Sequence, residues 1–127
     1  MIERVNTPKA PKAVGPYSQA VKANGFLFIS GMLALDPESG LMVGETAEEQ
    51  TEMIFKNIKA VLDEAGARIE NTVKAIVYLE DIKDFAAVNK VYGEAFKNAP
   101  VLPARCAFQV VILPKDGKVE IELTVAL

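Results

Sequence analysis

Asn24 and Gly25 lie between two runs of strand-forming residues, and this dipeptide constrains the fold more than any other feature of the chain. The runs cover residues 17–23 and 26–30. Asn-Gly tolerates the positive φ angles that a two-residue hairpin turn requires, so the two runs are predicted to pair as antiparallel neighbours. An isolated hairpin is only marginally stable, so the rest of the chain has to extend this sheet and cover it.

A helix with both ends marked follows the hairpin. Thr46 and Glu49 give the capping-box pattern at its start, and Gly66 suits a left-handed cap at its end. Seven residues between them share one helical face: Ala47, Gln50, Ile54, Ile58, Val61, Leu62 and Ala65. A stripe of this width is typical of a helix that packs on a core.

Alternation and helical spacing place the remaining elements. A second helix, capped by Asp81 or Asp84, is predicted from an apolar stripe made of Phe85, Val88, Tyr92 and Phe96. The other elements are predicted strands at 2–5 (an edge strand), 32–35, 73–79, 104–113 and 119–127. Within the strand at 73–79, one face is expected to carry Val73, Ala75, Val77 and Leu79.

Apart from the possible edge strand at 2–5, the predicted order is three strands, helix, strand, helix and two strands. The whole chain, 1–127, is therefore expected to form one α+β domain in which both helices cover one face of a sheet. The other face still carries apolar residues such as Ile76, Tyr78 and Val111, which a monomer would leave in water. Self-association is the natural way to cover such a face.

Composition excludes several classes of protein. The net charge is −3 and basic residues form no block, so nucleic-acid binding by charge is disfavoured. Histidine is absent, which excludes Ser-His-Asp and Cys-His nucleophiles and zinc sites built on imidazole. Neither a GxxxxGK[ST] motif nor a GxGxxG motif occurs, and we expect no metal and no cofactor.

The sequence predicts a cytoplasmic protein. Residues 1–4 lack the apolar stretch of a secretion signal, and no run of about 18 apolar residues could span a bilayer. The single cysteine, Cys106, cannot form an internal disulfide, and a free thiol suits a reducing compartment.

Arg105 and Glu120 are the strongest candidates for chemistry. Arg105 follows Pro103 and precedes an apolar run, so its planar guanidinium is expected at the mouth of a strand, where it could bind a carboxylate. The alternative is an exposed arginine that makes weak surface ion pairs. Glu120 shares a strand face with Glu122, and its alternative is a solvated face. Cys106 is expected to face away from Arg105 as a small buried thiol.

The spacing of the last two strands restricts where these candidates can meet. If the strands paired through a tight Asp116-Gly117 turn, Arg105 would lie roughly 26 Å along the pair from Glu120. One pocket could then not contain both side chains. Either the two strands are not hairpin neighbours or the site joins residues from two subunits, and we favour a site at an interface.

Short motifs follow one another along almost the whole chain: Gly15-Pro16-Tyr17-Ser18-Gln19-Ala20, Ile29-Ser30-Gly31, Asp36-Pro37, Ser39-Gly40, Asn57, Ala65-Gly66, Asp84-Phe85, Val88-Asn89, Tyr92, Pro103-Ala104-Arg105, Leu113-Pro114-Lys115 and Val119-Glu120-Ile121-Glu122. In order and spacing this set resembles the Rid proteins, reactive-intermediate deaminases also called the YjgF family. The combination of Arg105 with Glu120 resembles the deaminase-active RidA subgroup. The chain departs from many relatives at Met32, at Ala107 and in the insertion-like segment 98–102.

The resemblance implies a chorismate-mutase-like fold with a mixed sheet and a homotrimer with clefts between subunits. It implies hydrolysis of 2-iminobutanoate or 2-iminopropanoate to the 2-keto acid and ammonia, with Arg105 holding the substrate carboxylate and Glu120 positioning or activating water. The cleft would be lined by Tyr17, Ser30, Gly31, Asn89 and the backbone at Ala107. An iminium carbon is already electrophilic, so orientation and a carboxylate base are sufficient chemistry.

Simpler interpretations remain open for the lining residues and for the whole protein. Tyr17 could be a packing aromatic, Ser30 could bond to backbone, and Asn89 could bond across an interface. Some Rid relatives are described as endoribonucleases or translation inhibitors, and a ligand-binding or holdase-like trimer without turnover is a further alternative. The acidic balance and the lack of histidine argue against a ribonuclease.

Overall fold

One mixed sheet of six strands carries both helices on the same face. The computed structural model describes residues 1–127. The strands are β1 (Glu3–Val5), β2 (Ala20–Ala23), β3 (Phe26–Met32), β4 (Thr72–Leu79), β5 (Ala104–Gln109) and β6 (Val119–Ala126). Their order is β1-β2-β3-β6-β4-β5, and every neighbouring pair is antiparallel except β4 with β5. The predicted α+β class is confirmed.

The first helix, α1 (Ala47–Ala65), begins and ends as predicted. The Thr46 hydroxyl accepts a hydrogen bond from the N–H of Glu49, and the Glu49 carboxylate accepts one from the N–H of Thr46. Gly66 follows with a φ of 69°, a left-handed conformation that glycine adopts without steric cost. All seven residues of the predicted helical face are buried.

The second helix, α2 (Phe85–Ala95), follows a 3-10 turn. Asp81 caps that turn, since its carboxylate accepts from the N–H of Lys83, whereas Asp84 makes no side-chain cap bond. The predicted stripe faces the core, with its first residue half-buried and the others buried: Phe85, Val88, Tyr92 and Phe96. Neither helix combines the length and apolar composition needed to cross a lipid bilayer.

The Asn24-Gly25 hairpin is confirmed. Ala23 pairs with Phe26, and the two turn residues have φ angles of 50° and 79°. The first strand of the hairpin begins at Ala20 rather than at residue 17. The residues before it form a loop that belongs to the site described below.

A bulge extends β3 beyond its predicted end. The strand continues to Met32 with a register shift between Ile29 and Met32, so Ser30 and Gly31 occupy the bulge. The separate strand predicted at 32–35 is therefore wrong. Leu35 makes only an isolated bridge, to Met42.

β4 and β5 also depart from strict alternation. A register shift between Thr72 and Lys74 turns Val73 outward, and Val73 is 42% exposed rather than part of the buried face. An extra residue in one strand shifts the side-chain alternation beyond it, which a fixed period of two does not anticipate.

β5 is shorter than predicted. It ends at Gln109 instead of residue 113, and Val111 is fully exposed.

The core lies between the helices and the sheet. β6 alternates regularly, with four buried residues facing the helices: Val119, Ile121, Leu123 and Val125. Replacing a buried aliphatic residue of this kind by alanine typically costs about 2–5 kcal/mol, depending on its size. This face therefore fixes the register of the central strands, and with it the positions of the polar residues between them.

The opposite face of the sheet has no helix over it. It carries Phe26, Phe28 and Phe108, which are 38%, 43% and 44% exposed, beside Ile76 and Tyr78. The rings form two groups, Phe26 with Phe28 and Tyr78 with Phe108. Exposed apolar groups of this kind are typical of a surface that another protein covers. The face that the sequence predicts to be an interface is therefore uncovered in the single chain.

Candidate functional site

Four predicted site residues form one group, here called the Glu120 group: Tyr17, Ser30, Gly31 and Glu120. Tyr17, Ser30 and Gly31 line one small pocket, and the Glu120 carboxylate lies directly against Gly31. Much of the remaining lining is aliphatic, from Met32, Leu33 and Leu35. The polar side chains of Lys12 and Gln19 line the pocket as well. The group thus places a carboxylate beside a small pocket of mixed polar and apolar lining.

Gly31 lets the Glu120 side chain lie against the β3 backbone. A Cβ atom at position 31 would be 2.1 Å from Oε1 of Glu120 and 2.9 Å from its Cδ. Any side chain at this position would therefore displace the carboxylate. Glycine is needed here for close approach between two strands rather than for an unusual φ angle.

Gln19 holds the loop that carries Tyr17. Gln19 is only 4% exposed, and its amide donates to the carbonyls of Thr7, Ala10 and Pro11 while its Oε1 accepts from the N–H of Thr7. Four hydrogen bonds to one buried side chain fix the loop against the sheet. Tyr17 is 54% exposed, so it is not a packing aromatic in the single chain.

Ser30 is bonded to the same loop. Its hydroxyl donates to the carbonyl of Ser18 at 2.6 Å, and its N–H donates to the carbonyl of Gln19 at 3.0 Å. The contact matches the simpler interpretation of Ser30, in which its hydroxyl bonds to backbone. Ser30 therefore connects the bulge in β3 to the loop before β2.

Glu120 lies in an environment that favours the neutral form of its carboxyl. The carboxyl is half-buried, and this burial raises its pKa, with the charge of Glu122 acting in the same direction. Glu122 is itself engaged, because it accepts a hydrogen bond from the Tyr78 hydroxyl and raises the pKa of Tyr78 to about 12. Glu120 is therefore the carboxylate of the pair that remains available to accept a proton.

Asn89, Arg105 and Ala107 form a second group, here called the Arg105 group, at the β5 edge of the sheet. Nη1 of Arg105 donates to Oδ1 of Asn89 at 2.7 Å. The ion pairs of the protein all involve other residues, so no carboxylate neutralises this guanidinium. A neutral amide partner holds the side chain and leaves its positive charge available to an anion.

Two rings of α2 also touch Arg105, and the sequence pattern gives no sign of this contact. Cζ of Arg105 lies 4.6 Å from the ring centroid of Tyr92 and 5.2 Å from that of Phe85. The helical stripe identifies both rings only as core residues. Their contact with Arg105 depends on α2 lying beside β5, as the hydrogen bond between Arg105 and Asn89 also shows.

Ala107 presents its backbone to the free edge of the sheet. The N–H of Val110 donates to the carbonyl of Leu79 in β4, and backbone groups alternate in direction along a strand. The N–H and C=O of Ala107 therefore point away from β4. Backbone groups on a free edge can bond a ligand or another chain.

Cys106 faces away from Arg105, as predicted, but it is not a buried thiol. The thiol is exposed on the helix-free face, where Sγ lies 3.8 Å from Nζ of Lys74. The predicted burial is wrong because β5 is the outermost strand and nothing in the chain covers its outer face. No three side chains of the Cys, Asp or Glu type come together as a metal site.

The two groups lie on opposite faces of the sheet. Arg105 is in register with Ala75, whose side chain is buried under the helices, whereas Glu120 is in register with Tyr78 on the helix-free face. β4 separates β5 from β6, so these two strands are not hairpin neighbours. Two strand spacings and three residues of offset put the two Cα atoms about 14 Å apart. One chain alone cannot bring the two side chains into one pocket.

Comparisons with known proteins match almost the whole chain. The family model described as Endoribonuclease L-PSP matches residues 7–127. A RutC family protein of Aquifex aeolicus is 50% identical, over 96% of this chain and 97% of its own. Reactive Intermediate Deaminase A, chloroplastic, of Arabidopsis thaliana is 47% identical, over 98% of this chain and 66% of its own. The crystal structure of RidA from the Antarctic bacterium Psychrobacter sp. PAMC 21119 superposes with a TM-score of 0.91 at 43% identity, covering 98% of this chain and 99% of that one.

Proposed function

Because the chain belongs to the Rid (YjgF) family, we propose that it hydrolyses 2-imino acids, such as 2-iminobutanoate and 2-iminopropanoate, to 2-keto acids and ammonia. The family match and the relative named Reactive Intermediate Deaminase A support the deamination of reactive intermediates in general. The observation that carries the finer assignment is the guanidinium of Arg105, which is held by a neutral amide and paired with no carboxylate.

Arg105 binds the substrate carboxylate in this proposal. One N–H of Nη1 is used by Asn89, and the remaining N–H groups of the guanidinium can make two parallel bonds to a carboxylate. The carboxylate of a 2-imino acid is attached directly to the reacting carbon. Holding the carboxylate therefore also fixes the position of the C=N bond. The outward N–H of Ala107 is a second donor on the same strand.

Glu120 activates the water in this proposal. As the water oxygen attacks C2 of the protonated imine, one water proton moves to the Glu120 carboxylate and a carbinolamine forms. Glu120 then returns the proton to nitrogen, and the C–N bond breaks as the C=O bond forms. The hydroxyl proton leaves with ammonia as ammonium, so the products are the 2-keto acid and ammonium.

The pocket of the Glu120 group suits a short aliphatic side chain. Tyr17, Ser30 and Gly31 would border the substrate, and the nearby aliphatic residues would contact its methyl or ethyl group: Met32, Leu33 and Leu35. Burial of such a group is favourable by about 0.8 kcal/mol for each CH₂ removed from water. The absence of histidine is compatible with this chemistry, which needs one carboxylate base and no strong nucleophile.

A complete site requires two copies of the chain, because Arg105 and Glu120 lie on opposite faces of one sheet. We propose a homotrimer with three clefts, each combining the Arg105 group of one copy with the Glu120 group of the next. The exposed rings on the helix-free face and the free β5 edge are the surfaces that such an assembly would cover. The unpaired thiol fits a cytoplasmic location, which is part of the same proposal.

An imine-hydrolysis assay tests the proposal. A PLP-dependent dehydratase generates 2-iminobutanoate from threonine, and semicarbazide captures the imine that remains. We expect the wild type to remove the imine and Arg105→Ala to lose about 10²- to 10³-fold in kcat/KM, because a charged partner of the substrate is gone. Arg68→Ala is a matched control, since Arg68 is an exposed arginine paired only with Glu70 at 3.6 Å. Equal rates for the wild type and Arg105→Ala would refute the deaminase assignment.

An endoribonuclease is the second candidate, since the matching family model carries that description. The net charge of −3 and the absence of histidine give it no support from the chain itself. RNA incubated with the same preparations decides between the two. Loss of RNA that survives further purification, together with unchanged imine levels, would favour the ribonuclease. Suppression of protein aggregation without loss of imine would favour a holdase-like trimer instead.

A further inference from the structure

Two aromatic rings and one amide of α2 contact the Arg105 side chain. Tyr92 and Phe85 are seven residues apart on α2, which is two helical turns, so both rings lie on the helix face that points towards β5. Asn89 lies between them in sequence and accepts from Nη1. Three residues of one helix therefore contact a single side chain of a neighbouring strand.

The Tyr92 ring cannot easily move. The residue is 7% exposed, and its ring lies 4.7 Å from that of Phe96 and 6.1 Å from that of Phe55, measured between centroids. A ring held from behind in this way presents a fixed face to the guanidinium. The cation is attracted to that face, and the contact is stronger where water is excluded.

We propose that Phe85 and Tyr92 are positioning residues, forming an aromatic shelf that orients the Arg105 guanidinium for the substrate carboxylate. The inference rests on the proposed function, in which Arg105 binds that carboxylate. Rings that contact the guanidinium through its π face do not occupy its N–H groups, and a carboxylate makes its two bonds to those N–H groups. Without the shelf, an exposed arginine on an outermost strand would populate several rotamers, and binding would have to select one of them.

Substitutions at Tyr92 can separate the role of its ring from that of its hydroxyl. This hydroxyl is buried and has no hydrogen-bond partner. Tyr92→Phe therefore keeps the ring that faces Arg105 and removes only an unsatisfied oxygen. Tyr92→Leu keeps apolar volume at the same place and removes the π face. Tyr92→Phe and Tyr92→Leu therefore differ mainly in whether an aromatic ring lies against Arg105.

Kinetics and direct binding test the shelf together. KM and kcat for 2-iminobutanoate are measured for Tyr92→Phe, Tyr92→Leu and Phe85→Leu, and the dissociation constant of 2-oxobutanoate, the product, is measured by titration calorimetry. We expect both leucine variants to raise KM and the dissociation constant about tenfold with kcat nearly unchanged, and Tyr92→Phe to match the wild type. Val88→Ala is the structural control, because Val88 is a buried residue of the same helix; it should lower the melting temperature and leave KM unchanged.

The outcomes distinguish this inference from the proposed function. A wild type that binds 2-oxobutanoate but does not hydrolyse imines would refute the deaminase, and the dissociation constants of the leucine variants would still decide the shelf. Unchanged affinity in both leucine variants overturns the shelf, whatever the turnover. A Tyr92→Phe variant as weak as Tyr92→Leu overturns it as well, because the hydroxyl and not the ring would then matter. If Tyr92→Leu fails to fold, the half-buried Phe85→Leu decides the question alone. Equal affinity of the wild type and Arg105→Ala for 2-oxobutanoate also overturns the shelf, because Arg105 would then bind no carboxylate.

Discussion

The Glu120 group and the Arg105 group differ in how the fold holds them. The Glu120 group is built on β3 and β6, the two middle strands of the sheet, and on a loop fixed by Gln19. The Arg105 group is built on β5, the outermost strand, and depends on side chains of α2 for its orientation. Backbone therefore positions the carboxylate, whereas neighbouring side chains position the guanidinium.

The two groups are also complementary in charge. Burial raises the pKa of Glu120, and Arg105 carries a charge that no carboxylate neutralises. Placed side by side in one chain, they would form an ion pair, which would lower the pKa of the carboxyl and occupy the guanidinium. Their placement on opposite faces of one sheet prevents this. In the proposed cleft, the two residues would meet only through a second copy of the chain.

Mixing two inactive variants gives the largest expected effect. Arg105→Ala and Glu120→Gln are each expected to be nearly inactive. If they are unfolded together in equal amounts and refolded, about a quarter of the clefts should combine an intact Arg105 group with an intact Glu120 group. Imine hydrolysis should then recover to about a quarter of the wild-type rate.

A site within one chain predicts a different result for the same mixture. No chain in it carries both intact residues, so activity would stay at the level of the separate variants. Native mass spectrometry on variants labelled with different isotopes is the control, since it shows whether mixed oligomers have formed. Mixed oligomers without recovered activity would remove the shared cleft from the proposal.

Gly31→Ala tests the Glu120 group alone. The new Cβ would lie within 2.1 Å of Oε1, so the carboxylate has to swing away from its place beside the pocket. We expect kcat to fall about a hundredfold, because displacement of a catalytic group by about 1 Å has effects of this size. The free energy of unfolding should change by less than about 1 kcal/mol, since the end of a flexible side chain can move into solvent.

Gly93→Ala is the matched control for that variant. A Cβ at position 93 meets nothing within 4 Å, and the residue lies in the exposed part of α2. Alanine there should stabilise the helix by about 0.5–1 kcal/mol and leave imine hydrolysis unchanged. Full activity in Gly31→Ala would show that the position of the Glu120 carboxylate does not matter for turnover.

Local patterns in the sequence account for most of the fold. The Asn24-Gly25 turn, the Thr46 capping box and the Gly66 cap depend on a few neighbouring residues, and each is confirmed. Two of the errors arise where one extra residue interrupts an alternating strand, at Val73 and in the bulge of β3. A bulge is decided by pairing with a distant strand, so a fixed period cannot locate it.

The candidate residues could be chosen from the sequence, but their arrangement could not. The resemblance picks out Arg105 and Glu120 one by one, whereas their placement on opposite faces follows from β4 lying between β5 and β6. Strand order is a long-range property that spacing along the chain does not encode. The contact of Tyr92 with Arg105 has the same origin, because a helical stripe cannot distinguish a ring that only fills the core from one that also holds a cation.

The ionisation of Glu120 is expected to have the smallest effect, a slight pH-dependent change in the free energy of unfolding. It tests how the environment of the Glu120 group differs from that of the Arg105 group. Its pKa is raised in the single chain, so the neutral carboxyl is the form that the fold favours. The stabilising effect of the neutral form is fully present below the unfolded pKa and is lost as the pH rises through the folded pKa. Glu120→Gln should therefore be more stable than the wild type at neutral pH, by less than about 1 kcal/mol for a half-exposed group, and the difference should shrink towards acid pH.

The same carboxyl reports on whether a second copy's Arg105 is near. A cation across the interface would lower the pKa of Glu120, whereas one about 14 Å away on the other face of the same sheet would be largely screened by salt. Carboxyl-carbon NMR titration of the assembled protein should therefore give a higher pKa for Glu120 in Arg105→Ala than in the wild type. Arg68→Ala should leave the titration unchanged, because Arg68 is an exposed residue that pairs with Glu70 in the segment between α1 and β4. Identical titrations in all three proteins would mean that the two groups act separately, and the proposed cleft would lose its physical basis.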